Sequence, residues 1–183
     1  DDFLIMFQYE RDAQRVYEAI IKRMELFGLE LSKEKTRILP FGRNCGTRET
    51  FDFLGFTHFN SKTRKGCYSV GHKISRKKKK QFKSNLKKWV KENRTTQFDE
   101  FMKTLNKKLT GSFNYYSLSG MIKEVRNLWH HSLLLTFKWL NRRSQRRSFK
   151  LVKFYEIWKD RIIHPYIHVD IWSGDKVIYN KNV

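Results

Sequence analysis

The stretch RKKKKQFKSNLKKWV, residues 76–90, decides the fold of the second half of the chain. The apolar residues that recur in it at helical spacing are Phe82, Leu86, Trp89 and Val90. This spacing predicts an amphipathic helix, and the lysines fall on the faces that the apolar residues do not use. Such a helix packs inward and still presents positive charge to a phosphate backbone.

The helical pattern continues beyond this stretch. Apolar residues at helical spacing predict a second helix over Phe98–Leu109, which we expect Gly111 to end. The same pattern predicts a third helix over Met121–Phe137 and a fourth over Phe149–Trp158. Residues 73–160 are therefore expected to form an all-helical bundle.

The first 72 residues combine short strands with one helix. Phe3–Phe7 is a continuous apolar run, which predicts a strand buried on both faces. Ala13–Phe27 has helical spacing, and Gly28 is expected to end that helix as its C-terminal cap. Antiparallel strands with one helix, followed by a helical bundle, give an α+β fold. The other predicted strands are Leu29–Leu31, Arg37–Leu39, and the hairpin strands Phe51–Phe56 and Tyr68–Val70.

Positive charge is concentrated in the second part of the chain. The 183 residues include 39 Lys and Arg against 18 Asp and Glu, a net charge of +21. Residues 1–72 carry 12 basic and 10 acidic side chains, a net of +2, so that residues 73–183 carry +19. A solubilising surface does not need such an excess, and we therefore favour a nucleic-acid partner. Aromatic residues make up 15% of the chain, which argues against disorder.

Several other classes of protein and site are disfavoured. The two cysteines, Cys45 and Cys67, form no C-x-x-C pair and do not indicate a zinc ribbon. No apolar run approaches the roughly 18 residues of a membrane span, and the N-terminus lacks the pattern of a signal peptide. His130 and His131 are adjacent, so that on a helix they point in different directions and do not share a metal.

Asp1 and Asp2 directly precede the apolar run. Adjacent carboxylates beside a buried strand suit a divalent cation, because like charges there need a cation in order to coexist. A solvated chain terminus is the alternative, and on spacing alone it is favoured. The chain begins abruptly at these residues without Met, and we interpret it as part of a larger protein.

The order of the motifs resembles a known family. Asp1-Asp2, the apolar run and the helix are followed by the motifs Gly28-Leu29-Glu30-Leu31-Ser32, Lys35-Thr36 and Phe53-Leu54-Gly55-Phe56. This order resembles the second half of the palm of a group II intron reverse transcriptase/maturase. The following part resembles that family's thumb, or maturase-specific domain, in Leu105-Asn106, Leu109, Gly111 and Asn114-Tyr115-Tyr116. Lys107 stands where the family usually has Pro.

The resemblance implies an RNA-directed DNA polymerase in the parent protein, with two-metal nucleotidyl transfer supported by Mg²⁺. Residues 1–72 would be the C-terminal part of the palm, residues 73–160 the thumb, and residues 161–183 a C-terminal extension. The implied roles are metal ligands and catalytic residues for Asp1 and Asp2, a catalytic lysine near the incoming nucleotide for Lys35, and a primer grip for Phe53, Leu54 and Gly55.

The expected partners are intron RNA, an RNA template with a DNA primer, and dNTP in the complete enzyme, but no membrane. The predicted RNA-binding residues are Arg76, Lys77, Lys78, Lys79, Lys80, Lys87, Arg142, Arg143, Arg146 and Arg147. The expected compartment is the bacterial cytoplasm or an organelle. The alternative is a non-catalytic basic RNA-binding module that acts as a splicing cofactor. Because the family's fingers and first palm aspartate are not in this sequence, we expect the chain alone not to polymerise.

Overall fold

The computed structural model describes residues 2–32, 34–143 and 150–167. Contacts divide the chain into two compact units, Asp1–Gly71 and His72–Val183. Of the predicted C-terminal extension, residues 168–183 lie outside the described residues. The elements in chain order are α1 (Glu10–Leu26), β1 (Thr50–Phe53), β2 (Phe56–Lys62), β3 (Tyr68–Ile74), α2 (Arg76–Glu92), α3 (Phe98–Tyr116), α4 (Ile122–Leu140) and α5 (Leu151–Arg161).

The expected α+β class is confirmed, with a helical second part. The three strands form one sheet in the order β1-β2-β3, and β1 and β2 are antiparallel. Phe53 pairs with Phe56, so that Leu54 and Gly55 form a two-residue turn between them. Both turn residues have positive φ, 48° and 82°, as a type I′ hairpin turn requires. The prediction of one hairpin strand over Phe51–Phe56 was wrong, because this tight turn divides that segment between β1 and β2. The strand predicted at Tyr68–Val70 lies within β3, and its hairpin partner is β2; the Thr63 N–H closes their turn by donating to the Cys67 carbonyl at 2.8 Å.

α1 ends where the sequence predicts. Gly28 has a φ of +67°, a conformation that a glycine adopts without steric cost. The Leu29 N–H donates to the Met24 carbonyl at 2.9 Å, and the Gly28 N–H donates to the Glu25 carbonyl at 3.0 Å. This pair of hydrogen bonds is a Schellman motif, which satisfies carbonyls that the helix end leaves open.

The prediction of a buried strand over Phe3–Phe7 was wrong. These residues are not in a strand, and their side chains are exposed, from 39% for Phe7 to 87% for Met6. Leu29–Leu31 and Arg37–Leu39 are likewise outside the strands. An apolar run becomes a doubly buried strand only between neighbouring strands, and hydrophobicity alone does not reveal whether such neighbours exist. In the described part of unit 1, Thr57 is the one buried residue.

The second unit is built on a continuous apolar core, to which all four of its described helices contribute. The predicted apolar face of α2 is confirmed, since Leu86 and Val90 are buried and Phe82 and Trp89 pack against the core. Trp89 stacks on Phe101 of α3 with ring centroids 4.9 Å apart. Among the helices that the structure describes, none is long and apolar enough to cross a membrane.

α2 and α4 run parallel, because contacts join their beginnings and their ends. Near the N-termini, Lys79 Nζ lies 2.5 Å from Glu124 Oε2. Beyond the C-termini, Arg143 Nη2 donates to the Thr96 carbonyl at 2.8 Å. α3, which connects them in the sequence, runs in the opposite sense, as short connections require, so that α2, α3 and α4 form an up-down-up arrangement in chain order.

Gly111 does not end α3, contrary to the sequence prediction. The helix continues to Tyr116, and Leu109 and Phe113 on either side of the glycine are both 0% exposed. A glycine inside a helix costs about 1 kcal/mol relative to alanine. Full burial of one large apolar side chain contributes about 1.5 to 3 kcal/mol, and packing therefore outweighs the local preference.

The Leu54 turn gives a first prediction. A side chain with a Cβ atom costs about 1 kcal/mol in the left-handed region, whereas glycine avoids this cost. Leu54→Gly should therefore be more stable than Leu54→Ala by about 1 kcal/mol in chemical unfolding, the reverse of the usual order for these two residues. An alanine variant as stable as the glycine variant would contradict the strain at this position.

Candidate nucleic-acid interface

The main basic surface of the second unit is built on α2. Nine of the 17 residues of this helix are Lys or Arg, and Glu92 is its one acidic residue. Ser75 begins the helix, since its buried hydroxyl accepts a hydrogen bond from the Lys78 N–H at 3.4 Å. Leu86 and Val90 are buried, so that one face of α2 packs into the core and most of its cations point to solvent.

Five of these cations form a row that we call the α2 stripe. Its members are separated by four, three, four and four residues, which keeps them on one side of the helix, and all five are exposed. At about 1.5 Å per residue the row is about 22 Å long. The α2 stripe consists of Arg76, Lys80, Lys83, Lys87 and Lys91.

The α2 stripe is unfavourable for the isolated helix. Like charges four residues apart repel by a few tenths of a kcal/mol per pair. The first turn also contains no acidic residue, so that its cations lie at the positive end of the helix dipole. An arrangement that opposes stability in two ways, and is exposed along its length, is well suited to a polyanionic ligand.

Lys79 differs from the other predicted RNA-binding residues of α2. Its side chain is half-buried and is paired with Glu124 on α4. Lys77 and Lys78 are exposed but lie off the α2 stripe. The structure therefore gives Lys79 a contact that holds two helices together, in addition to any contact with RNA.

The predicted arginine cluster after α4 lies partly within the described residues. The Arg142 guanidinium is over the Trp139 ring, 5.1 Å from its centroid, and Arg143 donates to the Thr96 carbonyl. Burial lowers the pKa of Arg143. Arg146 and Arg147 lie outside the described residues. Arg142 and Arg143 thus have contacts within the protein, unlike the exposed stripe.

Two further cations lie on tryptophan rings of this unit. Lys108 Nζ is 5.4 Å from the centroid of Trp89, and the Arg94 guanidinium is 5.7 Å from that of Trp139. These rings are occupied by the protein's own cations and by its core. The surface around α2 consequently offers charge for phosphates rather than open aromatic platforms for bases.

The residues predicted for polymerase chemistry lie only partly within the described part of the chain. Asp1 lies outside the described residues, Asp2 is exposed, and Lys35 is exposed in a turn where its N–H donates to the Ser32 carbonyl at 3.0 Å. In the described ranges, no hydrogen bond or ion pair joins Asp2 to Lys35, and no group of three or more His, Cys, Asp or Glu could hold a metal ion. These residues do not form the ligand set of a two-metal centre on their own.

The predicted primer-grip residues fall on the β1–β2 hairpin. Phe53 ends β1, and Leu54 and Gly55 form the tight turn, with the Leu54 side chain 58% exposed. Their role as a primer grip stays a prediction.

Comparison with protein families identifies the segment that carries α2. Residues 79–155 match the group II intron, maturase-specific domain. The match begins inside α2, includes α3 and α4, and ends within α5. It supports a maturase-specific domain in this segment and does not extend to residues 1–78. Comparisons with curated proteins and with solved structures gave no match.

The helical unit contains a structural clamp that sequence reasoning missed. Asn106 of α3 donates from Nδ2 to the Arg161 carbonyl at 2.8 Å and accepts at Oδ1 from the Ile163 N–H at 3.0 Å. The side-chain amide thus pairs with the backbone as a neighbouring strand would. The Leu105-Asn106 motif indicated this position, but only the fold shows what the amide binds.

Two further contacts extend the clamp along the same segment. The Tyr166 hydroxyl donates to Asn114 Oδ1, and Trp129 Nε1 donates to the Ile163 carbonyl at 3.0 Å. Burial raises the pKa of Tyr166. Both asparagines of the sequence motif therefore hold the segment that follows α5 against α3.

The clamp predicts a specific loss of stability. Asn106→Ala removes two hydrogen bonds, each with a net value of about 1 kcal/mol, and should lower the free energy of unfolding of the domain by about 1 to 2 kcal/mol. Lys107→Ala, at the exposed neighbouring position, should change it by less than about 0.5 kcal/mol. Guanidinium unfolding followed by circular dichroism measures both, and equal effects would show that the clamp contributes nothing.

Proposed function

We propose that this chain is part of a group II intron maturase and that its helical unit binds intron RNA and assists splicing. The observation that carries this proposal is the position of the α2 stripe. Four of its five cations lie within the matched residues 79–155, and Arg76 lies directly before them. A family match and an exposed row of cations thus coincide on one helix.

The chemistry of this role is electrostatic. A folded RNA brings phosphates together, and a rigid row of cations offsets their repulsion while releasing condensed counterions. Phosphate contacts of this kind fix the register of the protein on the RNA but carry no sequence information of their own. The α2 stripe is therefore assigned to holding and positioning RNA, and base-specific contacts have to come from other residues.

The finer proposal is that the parent protein copies RNA into DNA. The order of motifs in residues 1–72 supports it, as does the tight turn at Leu54 and Gly55. In this proposal Asp1 and Asp2 hold Mg²⁺, whose positive charge would offset the charge of the reacting phosphates, and Lys35 lies near the incoming dNTP. The template, the primer, the metal and the bacterial or organellar compartment stay predictions.

A second candidate function is a non-catalytic splicing cofactor. The family match covers residues 79–155, and none of the residues predicted for polymerase chemistry lies within this segment. Both candidates use the same RNA interface, so that RNA binding tests what they share and primer extension tests what separates them.

The first test neutralises the α2 stripe. A variant with Gln at Arg76, Lys80, Lys83 and Lys87 should bind a fluorescein-labelled RNA hairpin more weakly. The slope of log affinity against log salt should become shallower by about three to four, because each phosphate contact contributes about 0.9. The matched control replaces four exposed lysines of α3 and α5, Lys103, Lys107, Lys153 and Lys159, and should largely keep the slope. Equal losses in the two variants would contradict a specific interface.

The second test is primer extension. With an RNA template, a DNA primer, dNTPs and Mg²⁺, this chain alone should give no extension, because the family needs a further palm aspartate for its metal site. Binding of the same template–primer, measured in parallel, shows that the protein is active in binding. Robust extension that is abolished by Asp1→Asn together with Asp2→Asn would overturn this prediction.

A further inference from the structure

α4 packs directly against α2, and we call the surface along the line where the two helices meet the α2–α4 groove. Glu124 identifies the face of α4 that meets α2, since it is bonded to Lys79. His131 and Lys138 follow Glu124 by seven and fourteen residues, which are close to two and four helical turns. Both residues therefore lie on the face of α4 that borders α2.

The two sides of this groove carry like charge. Burial, and secondarily the positive charge of Lys83 in the α2 stripe, lower the pKa of His131. Lys83 and Lys87 follow Lys79 by one and two turns on α2, and Lys138 is exposed on the α4 side. His131 is half-buried between these sides.

Among the described helices, α3 and α5 meet α4 at residues other than Glu124, His131 and Lys138. α5 contacts the opposite face, where Trp129 meets Trp158 with ring centroids 6.2 Å apart. α3 shares the buried core with Val125 and Trp129. By helical spacing, the charged groups along the line where the two helices meet are Lys79, Lys83 and Lys87 on α2 and Glu124 and Lys138 on α4, and Lys83 is the one whose charge acts on His131. Since Glu124 is already paired with Lys79, the groove keeps a net positive charge.

We propose that the sugar-phosphate backbone of the bound RNA follows the groove between α2 and α4, where His131 donates a hydrogen bond to a phosphate and Lys138 pairs with another. This inference rests on the proposed RNA-binding function and deepens it, because it adds α4 to the interface. A rigid groove with cations on both sides holds a phosphate chain more firmly than a single row does.

The groove makes RNA binding depend on pH. In the free protein the lowered pKa of His131 favours the neutral imidazole. A phosphate beside it favours the protonated form and raises that pKa, so that binding takes up a proton. Affinity should therefore increase as the pH falls from about 7.5 to about 5.5, on either side of the ordinary histidine value.

The adjacent histidines supply a matched pair for the experiment. The probe is the labelled RNA hairpin at constant salt, titrated at several pH values. His131→Gln should lose most of the increase in affinity at low pH, whereas His130→Gln, at an exposed position about 100° around the helix where the ring lies against Trp129, should keep it. Circular dichroism confirms that each variant is folded.

A second pair of variants tests the groove through the salt dependence of binding instead of its pH dependence. Lys138→Gln should reduce the salt slope by about one, the value of a single phosphate contact. Arg126→Gln removes a charge from another exposed face of α4 and should leave the slope nearly unchanged. If His131→Gln does not fold, the comparison of Lys138→Gln with Arg126→Gln tests the groove proposal on its own.

The outcomes separate the groove from the proposed function. If the unmodified chain binds RNA and responds to loss of the α2 stripe, but both matched pairs behave alike, the groove proposal is overturned and the proposed function stands. If the unmodified chain shows no salt-dependent binding, the proposed function fails and the groove proposal fails with it. The groove proposal is supported if His131→Gln loses more of the pH response than His130→Gln, and Lys138→Gln loses more of the salt slope than Arg126→Gln.

Discussion

Burial of the apolar edge of α2 is the contact on which the helical unit depends. Leu86 and Val90 are 4% and 0% exposed, in a core shared with α3, α4 and α5. A helix with nine cations and one acid has little stability of its own, and packing of this edge holds it in place. The same packing fixes which side of α2 faces solvent. Core formation and display of charge are therefore two results of one amphipathic pattern.

The helices of the second unit could be predicted because their partners lie within the sequence. Apolar residues at helical spacing in α2, α3 and α4 pack into one shared core, as their spacing predicts. The error at Gly111 has a clear reason. The prediction used the low helix propensity of glycine, whereas the burial of Leu109 and Phe113 decides where α3 ends, and residue spacing does not reveal how much burial they gain.

Prediction was weaker where a side chain's role depends on its neighbours. The run Phe3–Phe7 has the composition of a buried strand and yet is exposed, because composition does not provide neighbouring strands. Predictions from charge have the same limit, because the sequence does not show which cations are paired within the protein. Lys79 and Lys80 are indistinguishable in the sequence, yet one is paired with Glu124 and the other belongs to the α2 stripe. Asn106 required knowledge of the segment 55 residues later that it binds.

The repulsion within the α2 stripe makes salt and RNA alternative sources of counter-charge. Dissolved ions screen the cations from each other and thereby stabilise the free protein, but they also compete with phosphates for the same positions. If the stripe binds RNA as proposed, salt that reduces repulsion among its cations should also weaken that binding. A bound polyanion removes this conflict, because it neutralises the stripe and occupies it at once. In the proposed complex, the phosphates of the RNA would supply the counter-charge that dissolved ions supply to the free protein.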